Sequence, residues 1–176
     1  MGNIFRTSSI WLKVALISFA VGLLLFVIGF ATTSWITFPY QRDLHEYRHS
    51  GLWQQYSCDT RRYCSTTSYY ILNDYHRAIQ AMECLGLIGY ILAILILLLY
   101  LCADKYRRRD FLQATTAITF AGVLFACIGF ALFGSSANRE NMYGHYGTIG
   151  WSMGIAIAGT VLYAIGGIML IIQLIR

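Results

Sequence analysis

Four long stretches of this chain carry no charged residue, and that pattern restricts what it can fold into more than anything else in it. The first runs from Val14 to about Ile36. The second is uncharged from Cys84 to Ala103 and extends back to about residue 78. The third covers Phe111 to Gly134 and the fourth Thr148 to Ile175. Each has 20 or more residues, against about 20 needed for a helix to cross a ~30 Å hydrocarbon layer. Of the 176 residues 57% are hydrophobic and only 12% charged, about half the charged share of an ordinary soluble domain. The expectation is one membrane domain over 1–176 with spans at about 14–36, 78–103, 111–134 and 148–175. An even number of crossings puts both termini on one side.

The first apolar run is longer than the roughly 7–15 residues of a signal-peptide core, and no A-x-A-like site follows it. It is expected to be retained. The opening MGNIFR has Arg6 where a myristoylation signal has Ser or Thr.

Basic density sets the orientation. Lys105, Arg107, Arg108 and Arg109 crowd the connection 104–110, Arg6 and Lys13 precede the first span, and Arg176 ends the chain. The basic residues of 37–77 and 135–147 are spread out and interleaved with acids. Both termini are therefore expected in the cytoplasm, with 37–77 and 135–147 outside. Two cysteines, Cys58 and Cys64, fall in the outer loop, where oxidation is permitted. Their spacing suits a bridge across the neck of a hairpin, contributing roughly 2–3 kcal/mol. Strand formers cluster at Trp35–Tyr40, Gly51–Tyr56 and Tyr63–Tyr70, with turn-like HS-G and D-T-R-R between them. The fold class expected is a membrane all-α bundle of four helices with a small, disulfide-clipped antiparallel β-sheet outside.

Trp35 where the first span ends, Gly51-Leu52-Trp53, Cys58, Cys64, and Arg77-Ala78 at the mouth of the second span form an ordered motif. This motif resembles the claudin superfamily, which includes the claudins, the peripheral myelin and epithelial membrane proteins, the lens fibre membrane protein and the calcium-channel gamma subunits. The resemblance covers essentially the whole chain. It implies a left-handed four-helix bundle with a roughly five-stranded extracellular sheet, Trp35 and Trp53 locking the sheet onto the bundle, and Arg77 bracing its underside. Physically, Trp35 at the membrane boundary would keep its ring in lipid and its N–H in the wet layer. Gly51 would let a strand pass close to another backbone. Two departures stand out. Four residues separate Trp53 from Cys58, where many members have two, and Gln173–Arg176 lacks the scaffold-binding motif of many claudins.

Other residues carry two readings each. Glu83, at the outer edge of the second span, is either hydrogen-bonded within the protein or a contact for an ion or partner. His45, His49, His76 and His145 are solvated loop residues or a zinc or proton-sensing group, and nothing in their spacing selects the latter. Cys102, beside the basic connection, is a packed thiol or a palmitoylation site. Gly150, Gly154 and Ala158 recur at a spacing that lets helices approach closely, inside the bundle or across a dimer. Arg61 and Arg62 sit at a hairpin tip as a solvated turn or a charged contact. Tyr63, Tyr69 and Tyr70 supply aromatic surface of the kind interfaces use. Metal and cofactor sites are not expected.

The chain has no HExxH, GxSxG or Gly-rich phosphate loop, so no enzymatic activity is expected. Basic residues divided among short connections do not make a nucleic-acid face. The leading functional expectation is cell–cell contact at the plasma membrane, the sheet meeting itself or a related protein in cis or in trans. The second is an auxiliary subunit of an ion channel or receptor, and the third a paracellular pore or barrier.

Overall fold

A computed structural model of the chain describes residues 9–41, 46–58, 63–69, 74–103, 106–137 and 147–176. Its helices are α1 (Ile10–Ala31), α2 (Asp74–Cys102), α3 (Arg109–Ala137) and α4 (Trp151–Ile175), each long and apolar enough to cross a bilayer. The strands are β1 (Ile36–Gln41), β2 (Glu46–Ser50), β3 (Gln54–Cys58), β4 (Cys64–Ser68) and β5 (Thr148–Ile149). They form one antiparallel sheet in the order β4-β3-β2-β1-β5.

The helices pack around a ring in which α1 lies chiefly on α4 and α2 on α3, with α3 also on α4 and α1 on α2. Small residues make the α1–α4 contact close. A β-carbon on Gly22 would lie 2.9 Å from the Gly159 carbonyl oxygen, and one on Gly159 would lie 2.6 Å from that of Gly22. Dispersion between closely packed surfaces replaces the hydrophobic drive that lipid removes. The seam on α4 runs through Ser152, Ala156, Gly159 and Tyr163, all buried, whereas Gly154 and Ala158 face outward. The stripe expected from the Gly150, Gly154 and Ala158 spacing is thus rotated away from the α1 contact. Gly150 instead precedes α4, where its N–H donates to the Trp35 carbonyl at 2.8 Å.

At mid-bundle, Phe19 stacks on Tyr163 at 4.7 Å, Tyr163 on Tyr90 at 3.9 Å, and Tyr90 meets Phe26 edge-on at 5.0 Å. The phenols inside this apolar stack are satisfied. Tyr90 Oη donates to Thr160 Oγ1 and Tyr163 Oη to the Tyr90 carbonyl, both at 3.1 Å. Such bonds between helices hold the bundle where water is excluded.

The first helix stops at Ala31, short of the end of its apolar run. Trp35 and Ile36 are buried, but in the sheet junction and not in a span. At the opposite end, Ser9 Oγ donates to Gln173 Oε1 and the Arg176 guanidinium lies 5.7 Å above the Trp11 ring. The two ends of the described chain meet there, away from the sheet.

Candidate functional site

The junction between sheet and bundle is built around Trp35 and the Gly51-Leu52-Trp53 turn. A helix leaves its last four carbonyls without intrahelical donors. In α1 two of these are supplied by the residues that follow it: Thr32 Oγ1 donates to the Ile28 carbonyl at 2.8 Å, and Trp35 Nε1 to that of Gly29 at 2.7 Å. The Trp35 ring is fully buried, 4.9 Å from Phe133 and 5.8 Å from Phe130. The expectation of a ring in lipid and an N–H in the wet layer is therefore corrected. The indole is a core residue whose donor closes a helix end.

The backbone at Trp35 ties three elements together. Its N–H donates to Ser50 at the end of β2, and its carbonyl accepts from Gly150 ahead of α4. Next to it, the Ser34 N–H donates to Ser152 Oγ, while the Ser152 N–H donates to the Ser34 carbonyl, both at 3.2 Å.

Gly51 passes against the chain leaving α1. A β-carbon there would lie 2.6 Å from Thr33 Cα and 2.9 Å from the Thr32 carbonyl oxygen, so any larger residue must push two backbones apart. Leu52 is fully buried. Trp53, 38% exposed, meets Phe30 edge-on at 5.2 Å, which fastens the turn to the outer side of α1.

Three side chains clamp the carbonyls of this turn. Tyr69 Oη donates to the Gly51 carbonyl at 3.0 Å, so the 2.6 Å contact with Ser50 Oγ is donated by the serine. His76 Nε2 and Gln80 Nε2, one helical turn apart on α2, both donate to the Leu52 carbonyl, at 2.9 and 2.8 Å. Burial raises the Tyr69 phenol above its ordinary range, against the opposing pull of its Ser50 hydrogen bond and the charge of Arg48. In β2, burial lowers the pKa of His49. Sequence reasoning placed Tyr69 among interface residues and His76 among solvated histidines. Both belong to the clamp.

Arg77, expected under the sheet, is exposed and lies 3.9 Å from the exposed Asp74 carboxylate one turn earlier. Such an exposed pair contributes little.

Glu83 also departs from expectation. It is fully buried, and neither carboxyl oxygen has a hydrogen-bond partner among the described residues. It occupies the space left by the missing side chain of Gly129 on α3. Its carboxyl lies inside the bundle and not on its surface, and among the described residues no internal hydrogen bond to it is formed. Cys102 is exposed at the end of α2 with a free thiol. Arg61, Arg62, Tyr70, His45 and His145 lie outside the described residues.

The Cys58–Cys64 disulfide joins β3 to β4 across a directly opposed pair whose Cα atoms are 4.0 Å apart. That separation marks a non-hydrogen-bonded pair of an antiparallel ladder. The other side of β3 agrees, since the Gly51 N–H donates to the Gln54 carbonyl, turning Gln54, Tyr56 and Cys58 toward β2. Ser57 and Gln55 therefore bond to Ser65 and Thr67 of β4. The backbone groups of Cys64, Thr66 and Ser68 point outward from the sheet. All five residues of β4 are exposed, and Tyr63 just before it is 78% exposed.

No curated protein matches the chain. The family model described as PMP-22/EMP/MP20/Claudin family matches residues 8–170, with four spanning helices, a five-stranded sheet and a disulfide that fit it, and the chain belongs to that family of tetraspan membrane proteins.

Proposed function

We propose that the protein is a non-enzymatic cell-contact protein of the plasma membrane, its sheet outside and both termini in the cytoplasm. In this reading a second copy pairs along the outer edge of β4. The observation that carries it is that edge: a polar, uncharged strand, exposed at every position, with the N–H groups of Cys64, Thr66 and Ser68 turned outward. Unprotected edges of this kind are templates for adding a strand. Lys, Pro or a bulge, the usual protections, are missing from Cys-Ser-Thr-Thr-Ser. Tyr63 adds an aromatic contact at the start of the strand. The disulfide in the loop and the basic run at 105–109 support the orientation.

The test is border enrichment of a tagged protein in junction-free fibroblasts mixed with non-expressing cells. Self-pairing concentrates the protein only where two expressing cells touch. Thr66→Pro removes an outward N–H without touching the bonds to β3, and abolishes that enrichment while leaving surface delivery intact. Uniform staining of the wild type would count against self-adhesion in favour of an auxiliary channel or receptor subunit. A change in paracellular ion selectivity on Arg61→Glu with Arg62→Glu would instead point to a pore.

A further inference from the structure

The face of α2 near its end away from the sheet carries a groove of about 340 Å³ lined by Leu95, Leu98, Leu99 and Cys102. These positions recur at helical i, i+3, i+4 and i+7 spacing, so they form one stripe about two turns long. The stripe lies within a membrane-spanning helix, and Leu95 and Leu99 are each 49% exposed. Its surroundings are therefore hydrocarbon.

The chain turns tightly just past the groove. The Ala103 N–H donates to the Leu99 carbonyl at 3.0 Å, the Tyr106 N–H to Ala103 at 2.9 Å, and the Arg108 N–H to Tyr106 at 2.8 Å. The Tyr106 ring then packs edge-on against Phe111 at 5.2 Å, fixing the turn to the start of α3. This places Arg107 and Arg108 in the turn between α2 and α3 and Arg109 at the start of α3, all exposed and at the same end of the bundle as the groove. Among the described residues no carboxylate forms an ion pair with any of them, although Asp110 follows directly.

We infer that this end of α2 is a binding site for one anionic phospholipid, an acyl chain lying along Leu95, Leu98 and Leu99 and the phosphate headgroup held by Arg107, Arg108 and Arg109. Apolar groove and arginine-bearing turn follow one another along the chain, from the membrane interior outward, in the order in which a phospholipid presents chain and phosphate. The charge selects an anionic headgroup over a zwitterionic one. A free phosphate would use the arginines but leave the groove unused. The proposal is independent of β4 and of adhesion.

The test uses the full chain produced in a host without S-acyltransferases, so that Cys102 stays a thiol. The protein is delipidated in detergent, offered equal amounts of phosphatidylserine and phosphatidylcholine with matched chains, and read by native mass spectrometry. Each arginine near an anionic headgroup contributes about five-fold, so the expected preference for a single phosphatidylserine is on the order of a hundred-fold. Arg107→Gln, Arg108→Gln and Arg109→Gln together abolish the preference. Leu95→Trp with Leu99→Trp fills the groove and lowers retention of both lipids with the charge unchanged. That second variant decides the matter if the first fails to fold by circular dichroism. Equal retention of the two lipids by the wild type means ordinary annular lipid only and overturns the proposal. So does competition by glycerophosphoserine, which has no chains, as effectively as by the whole lipid. Stoichiometric thioester acylation of Cys102 in protein from its native host also overturns it, because the groove would then hold the chain's own acyl group.

Discussion

Trp35 illustrates how one residue can serve a helix end, a sheet and a core at once. Trp35→Phe keeps most of the ring contact with Phe130 and Phe133 but removes the 2.7 Å indole bond to the Gly29 carbonyl, which retains only the longer 3.2 Å bond from Thr32 Oγ1. A loss of about 0.5–1.5 kcal/mol is expected from the missing hydrogen bond, read as a lower melting temperature in detergent. Tyr69 gives a pH signature. Its raised folded-state pKa means that the folded protein holds the phenolic proton more tightly than the unfolded chain does. The stability this contributes is fully present below the ordinary value of 10.0 and declines as the pH rises through the folded-state value. Tyr69→Phe should flatten that alkaline decline in a series of thermal melts, and an unchanged profile would remove Tyr69 from the clamp. Gly51, Leu52 and Trp53 were legible from the motif, and so was the need for Gly51 to be small. The donors to their carbonyls were not. Tyr69, His76 and Gln80 carry no periodic or spacing signal, and the contacts that define them join residues far apart in the chain.

Among the elements, the helices follow from length and hydropathy, whereas the strands were only partly readable. β3 and β4 fall in regions rich in strand formers, with the cysteines at the opposed ends of the pair. β2 spells Glu-Tyr-Arg-His-Ser, with no apolar alternation, and its end coincides with a turn-like HS-G. β5 is two residues at the head of an apolar run, so it reads as the start of a span. Its pairing is visible only in three dimensions, where Ile149 opposes Ile36 and Thr148 opposes Thr37. The α2–α3 contact offers a further test. Gly129→Ala drives a methyl group into the Glu83 side chain and should cost about 1–3 kcal/mol by overpacking. Combining it with Glu83→Ala should recover much of that loss, because the two changes share one space. Additive losses in the double-mutant cycle would show that the residues do not compete for it. Replacing Cys58 and Cys64 together by Ser should cost roughly 2–3 kcal/mol and reduce surface delivery.

At the scale of the molecule, the chain is a four-helix bundle closed at one end by a sheet and at the other by the meeting of Ser9 with Gln173. Epitope tags at both termini of intact cells should be reached by antibody only after permeabilisation, while a label on Tyr63→Cys should react from outside. The reverse pattern would invert the proposed orientation and leave β4 facing the cytosol. The strand order also has a mechanical meaning. A pull on the outer edge of β4 meets the Cys58–Cys64 covalent link first, then passes across β3 and β2 to β1. There the load divides between α1, through the Trp35 indole on Gly29, and α4, through Gly150 and Ser152. Under the proposed function, traction between neighbouring cells would therefore be taken up by the most closely packed pair of helices in the membrane, and the turn around Gly51 would be spared most of it.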